Sequence, residues 1–361
     1  MKLSDVCTKG TSNIAQKDLD ARNGTYPIYG ASGFIKNVDF YHQEKPYIAI
    51  VKDGAGVGRV MQLPAKSSVI GTMQYIIANE GVSVEYLAYA LEHMNLSKYY
   101  LGAAIPHIYF KDYCSETLPN HTPEEQAHIS HALGLVSNLI FLRKQQLSKL
   151  DELVKSRFIE MFGDPIYNEK RWLTDSVENV CSDIYGGGTP SKAHLEYYEN
   201  GDIPWVSSKD MKSSILYDSQ IRINQLGVDN STAKIVPINS VIMVIRSGIL
   251  KHTLPVAINA VPITVNQDLK VFVPSQRITS LFLMYLFKML EKDILSGVRA
   301  VTADNIEFNS LKERMIIVPP IDLQLEFVTF VEQTDKSKFE IQKSLEKLET
   351  LKKALMQKYF G

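Results

Sequence analysis

The two halves of this chain carry the same succession of sequence features, and such an internal repeat constrains the fold more than any single motif does. Residues 146–163 match residues 344–361 at a constant offset of 198. Pairs at this offset are Leu147 and Leu345, Lys149 and Lys347, Leu150 and Leu348, Leu153 and Leu351, Lys155 and Lys353, Phe162 and Phe360, and Gly163 and Gly361. Gln126 and Gln324 share the offset, and each follows a turn that contains proline.

Earlier in each half the correspondence continues at slightly smaller offsets. The apolar, helix-like residues 84–102 resemble residues 279–297, and Gln74 is matched with Gln267 ahead of them. Any one of these matches could arise by chance. Their collinear order across both halves favours a duplication.

Each half therefore has one plan: a β-rich stretch, a short apolar helix, a loop and a long helix. Strands are predicted at residues 47–51, 59–63 and 74–78 in the first half, and at 240–245, 255–258 and 268–273 in the second. The predicted fold class is α+β, with two mixed α/β domains separated by two long helices and related by an internal pseudo-two-fold repeat. The predicted boundaries are 1–121 and 165–319 for the two domains, and 122–164 and 320–361 for the two helices.

Apolar residues recur every seven positions in both long helices, which is the pattern of a coiled coil. Residues 122–125 (Thr-Pro-Glu-Glu) are typical of a helix start. The seam residues are Ile140, Leu147, Leu150, Val154 and Met161 in the first helix, and Ile341, Leu345, Leu348 and Leu355 in the second. A helix packed only on its own domain is the alternative. Two matching helices in a duplicated chain favour an antiparallel coiled coil that acts as a spacer between the domains.

Composition excludes several protein classes. A length of 361 residues predicts about two domains, and 45% hydrophobic content excludes a disordered chain. A net charge of −1 argues against non-specific coating of nucleic acid and leaves a local basic surface open. Cys7, Cys114 and Cys181 fit neither a disulfide framework nor a zinc site, which predicts a reduced, cytoplasmic protein. No secretory signal or membrane span is predicted.

Motifs that would indicate catalysis are weak or absent. Residues 164–167 (Asp-Pro-Ile-Tyr) lack the second proline of the Asp-Pro-Pro-Tyr motif of amino-methyltransferases, and a helix stop explains them better. The glycines of residues 54–58 precede Arg59 where a cofactor loop needs glycine, so a hairpin turn is the better interpretation. There is no Walker A sequence. The histidines His121, His128 and His131 have no second ligand group at a zinc spacing. No catalytic site, metal or cofactor is therefore predicted.

The turns of both halves contain the residue types that bind DNA: Lys, Arg, Ser and Thr for phosphates, and Arg, Lys, Asn and Gln for base edges. In the first half the candidate DNA-binding residues are Tyr29, Ser32, Lys52, Arg59 and Gln74. In the second half they are Thr189, Ser191, Lys192, Ser208, Lys209, Arg246, Ser247 and Lys251. Each turn taken alone is more typical of an ordinary solvated loop. Their parallel placement in the two halves favours the DNA interpretation.

The whole chain resembles the specificity subunits of bacterial and archaeal Type I restriction-modification enzymes. The resemblance rests on the Gly-Gly-Gly-Thr-Pro-Ser sequence, the Gly-Asp-Ile-Pro-Trp-Val sequence, the Tyr-Gly-Ala-Ser-Gly sequence, the prolines ahead of the long helices and the Phe-Gly pairs that end them. These are residues 186–191, 201–206, 29–33, 118–119 with 318–320, and 162–165 with 360–361.

This resemblance implies two target-recognition domains, each of which reads one half of a split sequence in double-stranded DNA. It implies that the two long helices set the gap between the half-sites. Modification subunits that methylate adenine with S-adenosylmethionine are expected to dock on the helices, and ATP-driven restriction subunits are expected to join them. The chain itself is expected to have no catalytic activity and no membrane partner. Since residues 53–59 have no equivalent glycine pattern at 246–251, the two domains are expected to read different sequences.

Two alternatives remain open. The first is a methyltransferase or nuclease with a degenerate motif at residues 164–167, which requires methyl-donor binding by the isolated chain. The second is a coiled-coil scaffold without a DNA role, whose binding would ignore sequence and survive replacement of Arg246 or Lys52 by Ala.

Overall fold

Two sheets with the same strand order form the cores of the two units into which the chain divides. A computed structural model describes residues 1–100, 106–297, 299–300 and 304–361. One unit comprises Met1–Gln146 with Ile341–Gly361, and the other comprises Leu147–Glu340. Two helices of 40 residues, α4 (Pro123–Phe162) and α10 (Ile321–Phe360), contribute a segment to each unit.

The first unit is built on an antiparallel sheet. Its remaining elements are α1 (Leu3–Val6), β1 (Cys7–Thr11), β2 (Tyr26–Gly30), β3 (Gly33–Val38), β4 (Tyr47–Val51), β5 (Val60–Leu63), β6 (Ser68–Val69), β7 (Met73–Ala78), α2 (Val84–His93) and α3 (Phe110–Tyr113), with 3₁₀ turns at Gln16–Leu19 and Leu96–Tyr99. The main sheet has the order β1-β7-β4-β5. A second sheet has the order β3-β2-β6, in which β2 and β6 run parallel.

The second unit repeats this arrangement. Its elements are β8 (Thr174–Ser176), α5 (Val177–Val180), β9 (Cys181–Gly186), β10 (Ile203–Val206), β11 (Ile215–Leu216), β12 (Arg222–Ile223), α6 (Gln225–Asp229), β13 (Val241–Val244), β14 (Val256–Asn259), β15 (Thr264–Val265), β16 (Leu269–Pro274), α7 (Ser280–Met289), α8 (Glu291–Ser296), β17 (Arg299–Ala300), β18 (Asp304–Asn305), α9 (Phe308–Glu313) and β19 (Met315–Ile317), with 3₁₀ turns at Leu195–Tyr197 and Gly248–Lys251. The order β9-β16-β13-β14 matches β1-β7-β4-β5, and β11 adds a fifth strand. The order β12-β10-β15 matches β3-β2-β6, with β10 and β15 parallel. The internal repeat and the α+β fold class are therefore confirmed.

The central strands form because they are continuous apolar runs covered on both faces. Every residue of β4 and of β13 is buried. In the first unit Leu87 of α2 belongs to the same buried cluster as Ile48 and Ile50 of β4. In the second unit the ring of Phe287 in α7 lies 5.2 Å from the ring of Phe272 in β16.

The predicted strands agree with the structure to within one residue at most ends, and β4 occupies the predicted residues 47–51. The matching of Gln74 with Gln267 is wrong. Val51 pairs with Met73 in the first unit as Val244 pairs with Leu269 in the second, so Gln74 corresponds to Lys270. Segments of unequal length between the strands shifted the sequence comparison by three residues. Residues 101 and 102 of the predicted repeat lie outside the described residues.

Helix α4 begins and ends as its local chemistry requires. Thr122 Oγ1 accepts a hydrogen bond from Glu125 N, and Glu125 Oε2 accepts one from Thr122 N, which is a capping box. Helix α4 ends at Phe162 because Gly163 adopts a φ of +75°, a left-handed conformation that favours glycine. Within the described residues, no helix combines the length and the apolar character needed to cross a bilayer.

The α4 and α10 segments pack antiparallel within the first unit. Ile129 and Leu133 of α4 share a buried cluster with Met356 of α10. Further along α4, Lys144 Nζ lies 3.0 Å from Glu349 Oε1. Since the residue numbers rise along one helix as they fall along the other, the two segments are antiparallel.

The second unit shows the same antiparallel packing. The rings of Phe158 and Phe327 lie 5.5 Å apart, and Lys338 Nζ lies 2.7 Å from Asp151 Oδ1. None of the nine predicted seam residues is exposed, and Val154 and Leu345 are buried. The coiled-coil prediction is confirmed. The alternative, a helix packed on its own domain, is also partly right. Phe158 of α4 stacks on Phe282 of α7, so the helix packs on its domain as well as on the other long helix.

One buried glutamine fastens each long helix to its domain. Gln324 Oε1 accepts a hydrogen bond of 2.9 Å from the backbone N–H of Thr279, which caps α7, and Gln324 Nε2 donates one of 2.9 Å to the carbonyl of Pro319. Gln126 Oε1 accepts one of 3.1 Å from the N–H of Ser83, which caps α2, and Gln126 Nε2 donates one of 3.0 Å to a backbone carbonyl ahead of α4. The repeat is therefore preserved at the level of individual hydrogen bonds.

Replacing Gln324 by Leu is expected to lower the free energy of unfolding by about 1–3 kcal/mol, because it leaves buried backbone groups without a partner. Gln126→Leu is expected to act in the same direction in the first unit. The control is Gln333→Leu, an exposed position on α10. Urea denaturation followed by circular dichroism measures the change, and equal stability of the Gln324 and Gln333 variants would contradict the fastening role.

Lys288, at the end of α7, is a half-buried cation. Burial lowers its pKa to about 8, and the nearby positive charge of Lys338 acts in the same direction. Its ammonium donates a hydrogen bond of 2.6 Å to Ser214 Oγ. In the unfolded chain the pKa of this lysine is about 10.4. Folding therefore disfavours the charged form of Lys288, which lowers the free energy of unfolding at neutral pH.

Replacing Lys288 by Met is therefore expected to raise the free energy of unfolding at pH 7 by about 1–2 kcal/mol. The advantage should shrink as pH rises from 8 to 10, because the folded wild-type protein then loses the proton that the unfolded chain still binds. Urea denaturation at pH 7 and pH 10 tests this, with the exposed Lys292→Met as the control. A difference that stays constant with pH would be incompatible with the lowered pKa.

Candidate nucleic-acid interface

The glycine-rich sequence that follows β9 is explained by close packing. A Cβ on Gly187 would lie 1.9 Å from the carbonyl oxygen of Val265, and one on Gly188 would lie 2.3 Å from Ala233 N. The indole Nε1 of Trp205 in β10 donates a hydrogen bond of 2.9 Å to the Gly188 carbonyl. Two of the sequences that carry the family resemblance, residues 186–191 and 201–206, therefore meet and join the two sheets of this unit.

This packing places Thr189 at the surface beside the turn of residues 266–268, which we call the Asn266 turn. Thr189 Oγ1 is hydrogen-bonded to Gln267 Oε1. The N–H of Asn266 donates a hydrogen bond of 2.9 Å to the carbonyl of Val206. Val206 ends β10, and Ser208 and Lys209 follow it in the turn that Ser207 and Asp210 close by hydrogen bonds.

Arg246 reaches the Asn266 turn from the end of β13. Its Nε and Nη2 lie 2.7 Å and 2.6 Å from Asp268 Oδ1. Asp268 Oδ2 in turn accepts a hydrogen bond of 3.2 Å from Asn266 Nδ2. The structure thus brings Thr189 and Arg246 to one turn, while Ser208 and Lys209 lie in the segment after the strand to which this turn is hydrogen-bonded.

The other predicted residues of the second unit lie in the adjoining segments. Ser247 Oγ accepts a hydrogen bond of 3.4 Å from Ile249 N and so caps the 3₁₀ turn that ends at Lys251. Ser191 Oγ accepts one of 3.3 Å from Ala193 N, and Lys192 is exposed beside it.

In the first unit Arg59 and Ser32 line one cleft of about 450 Å³. Arg59 Nη1 donates a hydrogen bond of 2.8 Å to the carbonyl of Ala31 in the β2–β3 turn. Asp53 lines the cleft as well and is paired with His107 Nδ1. The predicted Arg59 and Ser32 therefore lie in one cleft, and the carboxylate of Asp53 lines the same cleft.

Lys52 and Tyr29 lie beside this cleft. Lys52 Nζ lies 3.8 Å from Asp53 Oδ2. Tyr29 is half-buried in β2, and its ring packs edge-on against Phe34 at 6.1 Å. Phe34 is largely exposed, so this aromatic pair lies at the surface of the unit.

The expectation for Gln74 is wrong. Its side chain is buried in β7, and Gln74 Nε2 donates a hydrogen bond of 2.5 Å to the hydroxyl of Tyr113. A buried amide that is already paired cannot reach a base in a groove. Gln74 therefore stabilises the core of the first unit.

Sequence reasoning missed the acidic and amide partners that orient the basic residues. These are Asp53, His107, Asn266, Gln267 and Asp268. Asp53 comes directly before the glycine-rich turn, and residues 266–268 separate β15 from β16. Polar residues at the ends of strands were therefore the signal that could have indicated these partners.

The sites considered for catalysis have structural roles. Asp164 Oδ1 accepts a hydrogen bond of 2.8 Å from Ile166 N just after the end of α4, as the helix-stop interpretation predicts. Residues 54–58 lie in the hairpin connection between the antiparallel strands β4 and β5. Burial raises the pKa of the Cys7 and Cys181 thiols to about 12, so neither is a thiolate nucleophile at neutral pH. In the part of the chain that the structure describes, no three His, Cys, Asp or Glu residues are grouped to hold a metal ion.

Comparisons of sequence relate the chain to restriction enzymes. It is 37% identical over 153 residues to the Type I restriction enzyme EcoR124I/EcoR124II specificity subunit of Escherichia coli, a match that covers 42% of this chain and 38% of that subunit. It is 25% identical over 305 residues to the Type I restriction enzyme MjaIX specificity subunit of Methanocaldococcus jannaschii, covering 78% of this chain and 69% of that subunit.

Comparisons of structure show the same fold. The crystal structure of the Type-I restriction-modification system S subunit from M. genitalium matches with a TM-score of 0.64 at 14% identity, over all of this chain and 95% of that one. A chain from a study of complex assembly and conformational transition in the type I R-M system matches with a TM-score of 0.57 at 15% identity, over 99% and 96%. The family model described as the Type I restriction modification DNA specificity domain matches residues 1–152 and 169–353. Because those residues make up most of the chain, the protein belongs to this family of Type I restriction-modification specificity proteins.

Proposed function

We propose that this protein is the sequence-reading subunit of a Type I restriction-modification enzyme. Each unit recognises one half of a split target in double-stranded DNA through the predicted residues that lie at its surface. The supporting observation is that one sheet topology occurs twice in a chain of this family, with different polar side chains at the corresponding strand ends. Two copies of one scaffold with different surface chemistry suit two different half-sites. The domain boundaries at 1–121 and 165–319 and the helices at 122–164 and 320–361 are part of this proposal.

The local charge supports DNA binding despite a net charge of −1. Arg59, Lys192, Lys209 and Arg246 are all exposed on the recognition domains. Two of these side chains are already oriented, Arg59 by the Ala31 carbonyl and Arg246 by Asp268. Oriented arginines suit base edges, whereas exposed lysines, with a compact charge on a flexible stem, suit phosphates.

The chain directs the chemistry of other subunits and has none of its own. Modification subunits supply S-adenosylmethionine and methylate adenine, and restriction subunits supply ATP-driven translocation and cleavage. The coiled-coil segments of α4 and α10 provide the docking surface for them. The structural role of Asp164 counts against a degenerate methyltransferase. The buried, protonated thiols of Cys7 and Cys181 fit a cytoplasmic location.

Co-expression of the chain with its modification subunits is expected to produce methylated adenines in a split motif with a fixed gap. Long-read sequencing of the host DNA maps these adenines directly. The motif should be absent when the chain is omitted. A soluble complex of all subunits that leaves the DNA unmethylated would favour the scaffold alternative, and methyl-donor binding by the isolated chain would favour the enzyme alternative.

Lys192→Ala is expected to weaken DNA binding to the same extent on every sequence, because an exposed lysine contacts phosphate. The slope of log K against log salt concentration should fall by about 1. Fluorescence anisotropy with the full chain over a salt series measures both effects. Lys336→Ala, an exposed lysine on α10, is the control. A loss confined to one DNA sequence would instead assign Lys192 to base recognition.

A further inference from the structure

Asp53 of the first unit and Arg246 of the second occupy the same backbone position. The N–H groups of Lys52 and Asp53 both approach the carbonyl of Thr72, at 3.0 Å and 3.2 Å. The N–H groups of Ile245 and Arg246 approach the carbonyl of Asp268 in the same way, at 2.9 Å and 3.3 Å. Each pair directly follows the central strand of its main sheet, β4 or β13.

The next segment of each chain half confirms this equivalence. The carbonyl of Lys52 accepts a hydrogen bond of 3.0 Å from Ile108 N, and the carbonyl of Ile245 accepts one of 2.8 Å from Ile306 N. Isolated antiparallel bridges join Asp53 to His107 and Arg246 to Asn305. The backbone therefore fixes positions 53 and 246 from the same two sides.

The side chains at this shared position carry opposite charges, and each is held by a neighbour. Asp53 Oδ1 is paired with His107 Nδ1, and its side chain is 29% exposed. Arg246 is paired with Asp268, and its side chain is 49% exposed. One unit thus presents an oriented acceptor where the other presents an oriented donor.

Both groups retain free hydrogen-bonding capacity. Arg246 uses two of its five N–H groups, that of Nε and one of Nη2, on Asp268 Oδ1, so three remain for a ligand: both of Nη1 and the second of Nη2. Asp53 Oδ2 lies 3.8 Å from Lys52 Nζ, beyond hydrogen-bond distance. In the major groove an arginine fork pairs with O6 and N7 of guanine, whereas an aspartate accepts from N4 of cytosine.

We propose that positions 53 and 246 are specificity-determining residues, one in each half-site. Arg246 donates to guanine and Asp53 accepts from cytosine, so each reads one G·C pair through a different member of the pair. Asp268 is a positioning residue that fixes the plane of the Arg246 guanidinium. The proposal rests on the DNA-reading function proposed above.

The test maps the methylated motif for variants of the full chain in complex with its modification subunits. Arg246→Ala is expected to make one G·C position degenerate in one half-site, and Asp53→Ala one G·C position in the other. Discrimination at that position should fall roughly 5- to 150-fold. Asp268→Ala should relax the same position as Arg246→Ala. Arg246→Lys keeps the charge but loses the fork, so it should show the same degeneracy even if the alanine variant folds poorly.

Matched controls come from ion pairs elsewhere in each unit. Arg222 is bound to Asp218 by Nε at 3.0 Å and Nη2 at 2.7 Å, and Asp39 is paired with Arg22 at 3.3 Å. Arg222→Ala and Asp39→Ala should leave the motif unchanged. Degeneracy at an A·T pair, or uniformly weaker methylation with every base still specified, would overturn the proposal. A wild-type complex without any split motif would instead refute the DNA-reading function itself.

Discussion

The buried amides of Gln126 and Gln324 join each long helix to the domain beside it. Each amide oxygen accepts from the backbone N–H that starts an apolar helix, and each amide nitrogen donates to a carbonyl in the turn ahead of the long helix. Three chain segments therefore depend on one side chain. Apolar packing is non-directional, whereas these hydrogen bonds specify a single arrangement. The orientation of the sheets on the helix segments of each unit follows from them.

Much of this fold follows from sequence pattern alone. The duplicated topology follows from collinear matches, the central strands from uninterrupted apolar runs, and the helix seam from a seven-residue period. The role of Gln74 could not be predicted, because its partner Tyr113 is 39 residues away and only folding brings them together. The correspondence of Gln74 with Lys270 was missed for a related reason. Strand pairing defines equivalence, and loops of unequal length conceal it in the sequence.

The sequences that carry the family resemblance are those that the packing constrains most. There is no space for a Cβ at Gly187 or Gly188. Trp205 of the second sheet donates a hydrogen bond to the Gly188 carbonyl and so joins that sheet to the glycine-rich segment. Substitution there would break the scaffold whatever the DNA target. Such motifs identify the fold and say nothing of the bases that are read. In the proposed function, base recognition belongs instead to exposed side chains, which the packing of the fold constrains less.

In the proposal made above, positions 53 and 246 allow one scaffold to serve two half-sites. Both side chains stand on a backbone fixed by the same hydrogen bonds, yet one is an acid and the other a base. Here the neighbours differ as well, with His107 beside Asp53 and Asp268 beside Arg246. If these positions read DNA as proposed, each charged pair acts as a whole, and a new specificity requires both of its members to be replaced together.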